Sequence, residues 1–146
     1  MKHTLANQMK LEIESRSVNE GFARAAVAAF AAQLDPTVEE LTDIKTAVSE
    51  AVTNCIVHAY PDRCGRITIW ARVYDGGLFR ILVKDQGVGI ADIEKARQPL
   101  YSSLGEERAG LGFAVMESFM DRLKVRSRVG AGTSITLEKQ IKGRAQ

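Results

Sequence analysis

Three short motifs in fixed order constrain this chain more than anything else in it: Glu50-x-x-x-Asn54, Asp85-Gln86-Gly87-Val88-Gly89 and Gly110-Leu111-Gly112-Phe113. A carboxylate and an amide four residues apart on a helix share one face and can address one Mg²⁺-triphosphate. An Asp ahead of a Gly-rich turn can accept from an adenine amine, and a Gly-x-Gly opening a helix can turn bare backbone N–H groups toward phosphates. Together they read as an ATP site.

The common nucleotide folds do not supply these motifs. A Walker A loop needs a lysine after its second glycine, and Leu111 stands there after Gly105 to Gly110. A dinucleotide fingerprint needs a third glycine, which neither Gly87-Val88-Gly89 nor Gly110-Leu111-Gly112 gains downstream. No Val-Ala-Ile-Lys, His-Arg-Asp or Asp-Phe-Gly of a eukaryotic-type kinase occurs.

With 146 residues, 45% hydrophobic and 26% charged, one domain over 1–146 is expected. A formal net charge of +2 is too small to argue for direct nucleic-acid or membrane binding. Met1 to Lys10 has no apolar h-region, and the longest apolar stretch, Ala25 to Ala32, is far below a membrane span, so a cytoplasmic protein is expected. Cys55 and Cys64, with His58 between them, match no zinc spacing, and Cys55 reads as a small buried hydrophobe.

Alternation of Met9, Leu11 and Ile13 with charged residues predicts a strand over 8–15, and Val18 to Leu34 reads as a helix stopped by Asp35-Pro36. Thr37 with Glu40 makes a capping box for a second helix running to about Ala59. Arg66–Tyr74 and Leu78–Lys84 flank Asp75-Gly76-Gly77 as a hairpin. A short helical piece follows Ile90, then Gln98 to Ala109 reads as a polar surface loop, Leu111–Met120 as a third long helix, and Leu123–Val129 with Ser134–Glu138 as a second hairpin. Lys139 to Gln146 reads as a frayed tail. This order predicts an α+β two-layer sandwich, a mixed and mostly antiparallel sheet with helices on one face.

The segments 49–60 (Ser-Glu-Ala-Val-Thr-Asn-Cys-Ile-Val-His-Ala-Tyr), 84–90 (Lys-Asp-Gln-Gly-Val-Gly-Ile) and 109–113 (Ala-Gly-Leu-Gly-Phe) resemble, in turn, the boxes of the GHKL superfamily of ATP-binding domains, the Bergerat fold shared by gyrase, Hsp90, histidine kinases and MutL. Outside the boxes, Glu20-Gly21-Phe22-Ala23-Arg24, Gln33-Leu34-Asp35-Pro36-Thr37, Ala96-Arg97-Gln98-Pro99-Leu100 and Met116-Glu117-Ser118-Phe119-Met120-Asp121 are similar to the small serine-kinase anti-sigma factors of spore-forming bacteria.

That resemblance implies a protein-serine kinase that binds a sporulation sigma factor in an ATP/ADP-dependent way and phosphorylates a serine of an anti-anti-sigma factor, as a homodimer. It implies roles too. Glu50 would be the general base, Asn54 the holder of Mg²⁺, and Asp85, beside Gly87 and Gly89, the adenine acceptor helped by Thr133. Gln98 to Ala109 would be an ATP lid, where the guanidinium of Arg108 suits the γ-phosphate. Ser102-Ser103-Leu104 replaces an expected Thr-Thr/Ser-Lys-like run there, its two hydroxyls still able to donate to phosphate. Gly110, Leu111 and Gly112 would offer amides to the phosphates, and Arg24 would lie on the face that meets both protein partners. His58 reads as a support residue on the Glu50–Asn54 face. Three other readings stay open: a sequestering module whose nucleotide is structural, a gyrase-type hydrolase in which Glu50 activates water, and an anti-sigma kinase that serves a stress-response sigma factor.

Overall fold

A computed structural model describes residues 3–98 and 104–144, with the backbone alone over 104–110. Five strands, β1 (Leu5–Glu14), β2 (Arg66–Tyr74), β3 (Leu78–Asp85), β4 (Arg122–Arg128) and β5 (Gly132–Gln140), form one sheet in the order β1-β2-β3-β5-β4. All four pairings are antiparallel. Four α-helices, α1 (Val18–Ala31), α2 (Val38–Asn54), α3 (Ile93–Ala96) and α4 (Leu104–Phe119), with a 3-10 turn at Ala32–Leu34 and a π-turn at Cys55–Ala59, make up the rest of the described elements, so the expected two-layer α+β arrangement is what forms.

Strict alternation decides which side of the sheet is covered. Ile67, Ile69, Ala71 and Val73 of β2, Phe79, Ile81 and Val83 of β3, and Ile135 and Leu137 of β5 are buried against Ile44, Val48 and Val52 of α2 and Phe113 and Met116 of α4. The intervening residues of the same strands face away from the helices.

The capping box is present: Thr37 Oγ1 accepts from the Glu40 N–H at 3.0 Å, and the Glu40 carboxylate accepts from the Thr37 N–H at 2.9 Å. That carboxylate also accepts from the backbone N–H groups of Lys142 (2.7 Å) and Gly143 (3.1 Å). The expected frayed tail is therefore docked as far as Arg144, which pairs with Asp35, and Ile141 is buried. A carboxylate accepting from three backbone N–H groups makes charge-assisted hydrogen bonds that hold the tail in place.

Burial acts against ionisation of Glu40, but those donors outweigh it and hold its carboxyl below the usual range. A depressed carboxylate contributes stability above its unfolded pKa of about 4.3 and loses it as pH falls through the folded value. Glu40→Gln is expected to lower stability by about 1 kcal/mol at neutral pH, with the deficit shrinking as the solution is acidified. Thermal melts of both forms at several pH values check this.

A second difference concerns α4. It begins at Leu104, seven residues ahead of the expected start, so Gly110-Leu111-Gly112 lies within the helix. Leu104, Glu106, Glu107, Arg108 and Ala109 are strong helix formers, and acidic residues suit the positive end of a helix. Their summed propensity offsets the cost of Gly105 and Gly110.

Candidate functional site

Three of the candidate residues, Glu50, Asn54 and His58, sit towards and just past the end of α2, where the helix changes pitch. From Cys55 to Ala59 the backbone makes a single π-turn. The extra residue in the turn breaks the i, i+4, i+8 register expected of Glu50, Asn54 and His58, yet Asn54 and His58 still line one cavity of about 440 Å³. Asp85, Gly89, Thr133 and Phe113 line the same cavity, which lies between sheet and helices. Glu50 is half-buried just outside it, beside Gly112: a Cβ added to Gly112 would stand 3.1 Å from Glu50 Oε2 and 3.3 Å from Asn54 Oδ1. Glycine there lets α4 approach the acid and the amide this closely.

Asp85 ends β3 and is 7% exposed. Its Oδ1 accepts from the N–H of Gly87 at 3.0 Å and of Thr133 at 3.1 Å, while the Cys55 thiol donates to Oδ2 at 3.5 Å. Desolvation still dominates and pushes its pKa up, against the opposing pull of those donors. The Thr133 contribution comes from the backbone, since its hydroxyl is engaged with Ser127 Oγ at 2.8 Å.

Behind Asp85 the glycine turn is fastened on every side. Tyr60 Oη accepts from the Gln86 N–H at 2.6 Å and donates to the Arg66 carbonyl at 2.6 Å. The Val88 N–H donates to the Ala59 carbonyl, Gly130 N–H to the Val88 carbonyl, and Ile90 N–H to Ser127 Oγ. Gly87 lies against Ala59, where a Cβ would meet the carbonyl oxygen at 2.2 Å. Gly89 adopts φ +77°, and a Cβ there would meet the Arg128 carbonyl oxygen at 2.2 Å. Gly89→Ala is expected to destabilise the fold by about 1–3 kcal/mol and to weaken nucleotide binding with it, measurable by melting with and without ATP.

Among the described residues Asn54 Nδ2 is buried with no hydrogen-bond partner, a cost of roughly 1–3 kcal/mol that a ligand oxygen in the cavity would relieve. Among the described residues no cluster of three or more His, Cys, Asp or Glu could cage a metal ion. That donor set fits a Mg²⁺ carried in on phosphates and touched by Asn54, better than a cation held by protein alone.

Cys55, buried as its sequence context suggests, joins this site through its thiol, and Tyr60 and Ser127 join it with no sequence signal of their own. Ser102 and Ser103 lie outside the described residues, and Arg108 and Gly110 are described by backbone only. The amides of the Gly-x-Gly stretch lie within α4 and not at a helix start. Leu111 is about half exposed. Arg24 sits apart on α1, its guanidinium bonded to Glu20 at 3.2 Å and to Ser49 Oγ, next to Glu50, at 3.4 Å. No helix among the described residues is long and apolar enough to cross a membrane.

A family model described as a histidine kinase-like ATPase domain matches residues 13–139. The anti-sigma F factor of Caldanaerobacter subterraneus subsp. tengcongensis is 59% identical over 92% of this chain and 94% of its own length. That of Geobacillus thermodenitrificans is 51% identical over 94% of each. Among solved structures, the RsbU and RsbW domains of a Mycobacterium tuberculosis protein superpose with a TM-score of 0.69 at 20% identity, covering 93% of this chain and 33% of that one. The histidine kinase domain of a blue-light activated kinase from Erythrobacter litoralis superposes at 0.55 with 24% identity, covering 84% and 61%. These two are likenesses of fold.

Proposed function

This chain belongs to the histidine kinase-like ATPase family and, within it, to the anti-sigma F factors, and from that membership we propose an ATP-dependent switch with two outputs. Bound to ATP it holds a sporulation sigma factor away from RNA polymerase. Meeting the anti-anti-sigma protein, it transfers the γ-phosphoryl group to a serine of that protein and releases the sigma factor. It works in the cytoplasm as a homodimer.

What supports the reading is one cavity that has on its wall a desolvated carboxylate, Asp85, and the Asn54 amide, whose Nδ2 has no partner among the described residues, with Glu50 at its margin. Asp85 accepts from the adenine amine. Asn54 would hold Mg²⁺, which supplies charge neutralisation on the phosphates when bound. Glu50 takes the serine Oγ proton as the Oγ–P bond forms and the bond to the β–γ bridging oxygen breaks, leaving ADP. Arg108, the hydroxyls of Ser102 and Ser103 and the amides of Gly110 to Gly112 serve the phosphates. Those amides can do so only when the first turns of α4 open, because in the helix their N–H groups are already used.

Incubation with γ-labelled ATP and the cognate anti-anti-sigma protein tests the reading. Label on a serine of that protein is expected, and its absence while ATP still binds would favour a sequestering module. Arg24, with the exposed Phe22 and Val18 on the same helix, serves as partner contact. Arg24→Glu is expected to weaken capture of the sigma factor roughly tenfold or more with ATP affinity unchanged, as read by calorimetry.

A further inference from the structure

The modest net charge hides a strong asymmetry, and it lies on the sheet face turned away from the nucleotide cavity. Register places Arg72 directly opposite Arg80, and Arg122 and Arg80 on either side of Glu138. That one carboxylate serves both, at 2.6 Å to Arg80 and 3.8 Å to Arg122. Further along β4, Lys124 and Arg126 stand opposite Thr136 and Ser134, hydroxyls that cannot neutralise them. Arg72, Arg80, Arg122 and Lys124 surround a shallow recess of about 290 Å³. Arg72 and Arg80, like charges directly opposite one another, cost stability, so folding alone gives no reason to place them so.

We propose that this face, along β3, β5 and β4, is a docking surface for an acidic, extended protein segment. The cations of β4 alternate, so Arg122, Lys124 and Arg126 project on one side at intervals of roughly 7 Å. An extended chain with carboxylates at every second residue repeats at the same interval and meets them in turn. β4 is also outermost in the sheet and, among the described residues, pairs only with β5, so the segment can lie alongside it.

The aromatic groups of this face argue against single-stranded nucleic acid. The ring of Trp70 is flanked by Lys10 (5.4 Å) and Lys84 (5.8 Å), and Arg80 stacks at 4.8 Å on Tyr74. These rings are engaged by the protein's own cations and offer bases a poor stacking platform. A second copy of the chain would bring the same sign of charge face to face.

The test uses the full chain loaded with ATP, and fluorescence anisotropy of two dye-labelled probes: a peptide alternating glutamate with threonine, and a thymidine oligonucleotide of equal charge. The peptide is expected to bind at low salt and weaken as salt is raised. The pair Arg122→Glu with Lys124→Glu should cut its affinity roughly tenfold or more, while ATP binding is kept. The milder pair Arg122→Gln with Lys124→Gln should move the same way, covering the case in which reversal misfolds. The proposal is overturned by an unbound peptide, by equal binding to the variants, or by tighter binding of the oligonucleotide. Sedimentation in which the substitutions split a self-associated species would overturn it as well, since this face would then belong to a second copy.

Discussion

Replacing Glu50 by glutamine is expected to slow phosphorylation of the anti-anti-sigma protein by on the order of 10²- to 10⁴-fold, with nucleotide and sigma-factor binding intact. Glutamine keeps the shape and hydrogen-bonding reach of the side chain and removes its basicity. The position suits that separation. Glu50 stands at the rim of the cavity beside Gly112 and is not on the cavity wall with Asp85 and Asn54. Binding should therefore pass it by while proton removal depends on it. Single-turnover rates set beside ATP titrations give the answer, and unaltered turnover in Glu50→Gln would falsify the assignment of the base.

The Asp85→Asn variant is expected to move stability and binding in opposite directions. Desolvation raises the folded pKa of Asp85, so its ionised form is a burden to the empty protein above that value. The burden fades as pH falls through the raised pKa and is gone below the unfolded value of about 3.9. The amide should therefore raise the melting temperature of the nucleotide-free protein at neutral pH, with no gain in strong acid. Nucleotide affinity should drop instead. Losing a charged acceptor for the adenine amine costs about 1.5–3 kcal/mol, on the order of 10- to 100-fold, for ATP and ADP alike, and discrimination against GTP should relax. Melting curves across pH together with calorimetry check both halves. A variant that is less stable and yet binds normally would remove Asp85 from the adenine role.

Much of this was legible because short-range chemistry carried it. The Thr37–Glu40 box, the Asp75-Gly76-Gly77 hairpin and the alternation along β1 to β3 each depend on residues a few positions apart, and each formed as expected. The convergence of Asp85 with Asn54 followed from motif chemistry. What was hidden depends on pairs far apart in the chain. Cys55 looks like filler until the π-turn and the end of β3 bring its thiol to Asp85, and Tyr60 looks like a core aromatic until its hydroxyl reaches Gln86. The tail looked frayed because its anchor, Glu40, is a hundred residues away. The polar stretch Gln98 to Ala109, with Pro99 and Gly105 and no period of its own, suggested a loop, although Glu106 to Ala109 favour a helix. Charges spread over four strands become one basic face only when register is known.

The placement of β5 between β3 and β4 bears on how the protein is made. Asp85 receives one of its backbone donors from Thr133 of β5, and the start of α2 is held by Lys142 and Gly143, both supplied after most of the chain has been synthesised. A nascent chain still lacking β5 has β1 to β3 but neither the full set of donors to Asp85 nor a seat for β4. The donor set of Asp85 is therefore completed only when β5, carrying β4 on its other side, adds to the edge of β3. Until then the edge of β3 that β5 will occupy is an unpaired strand edge, the kind that templates wrong pairings.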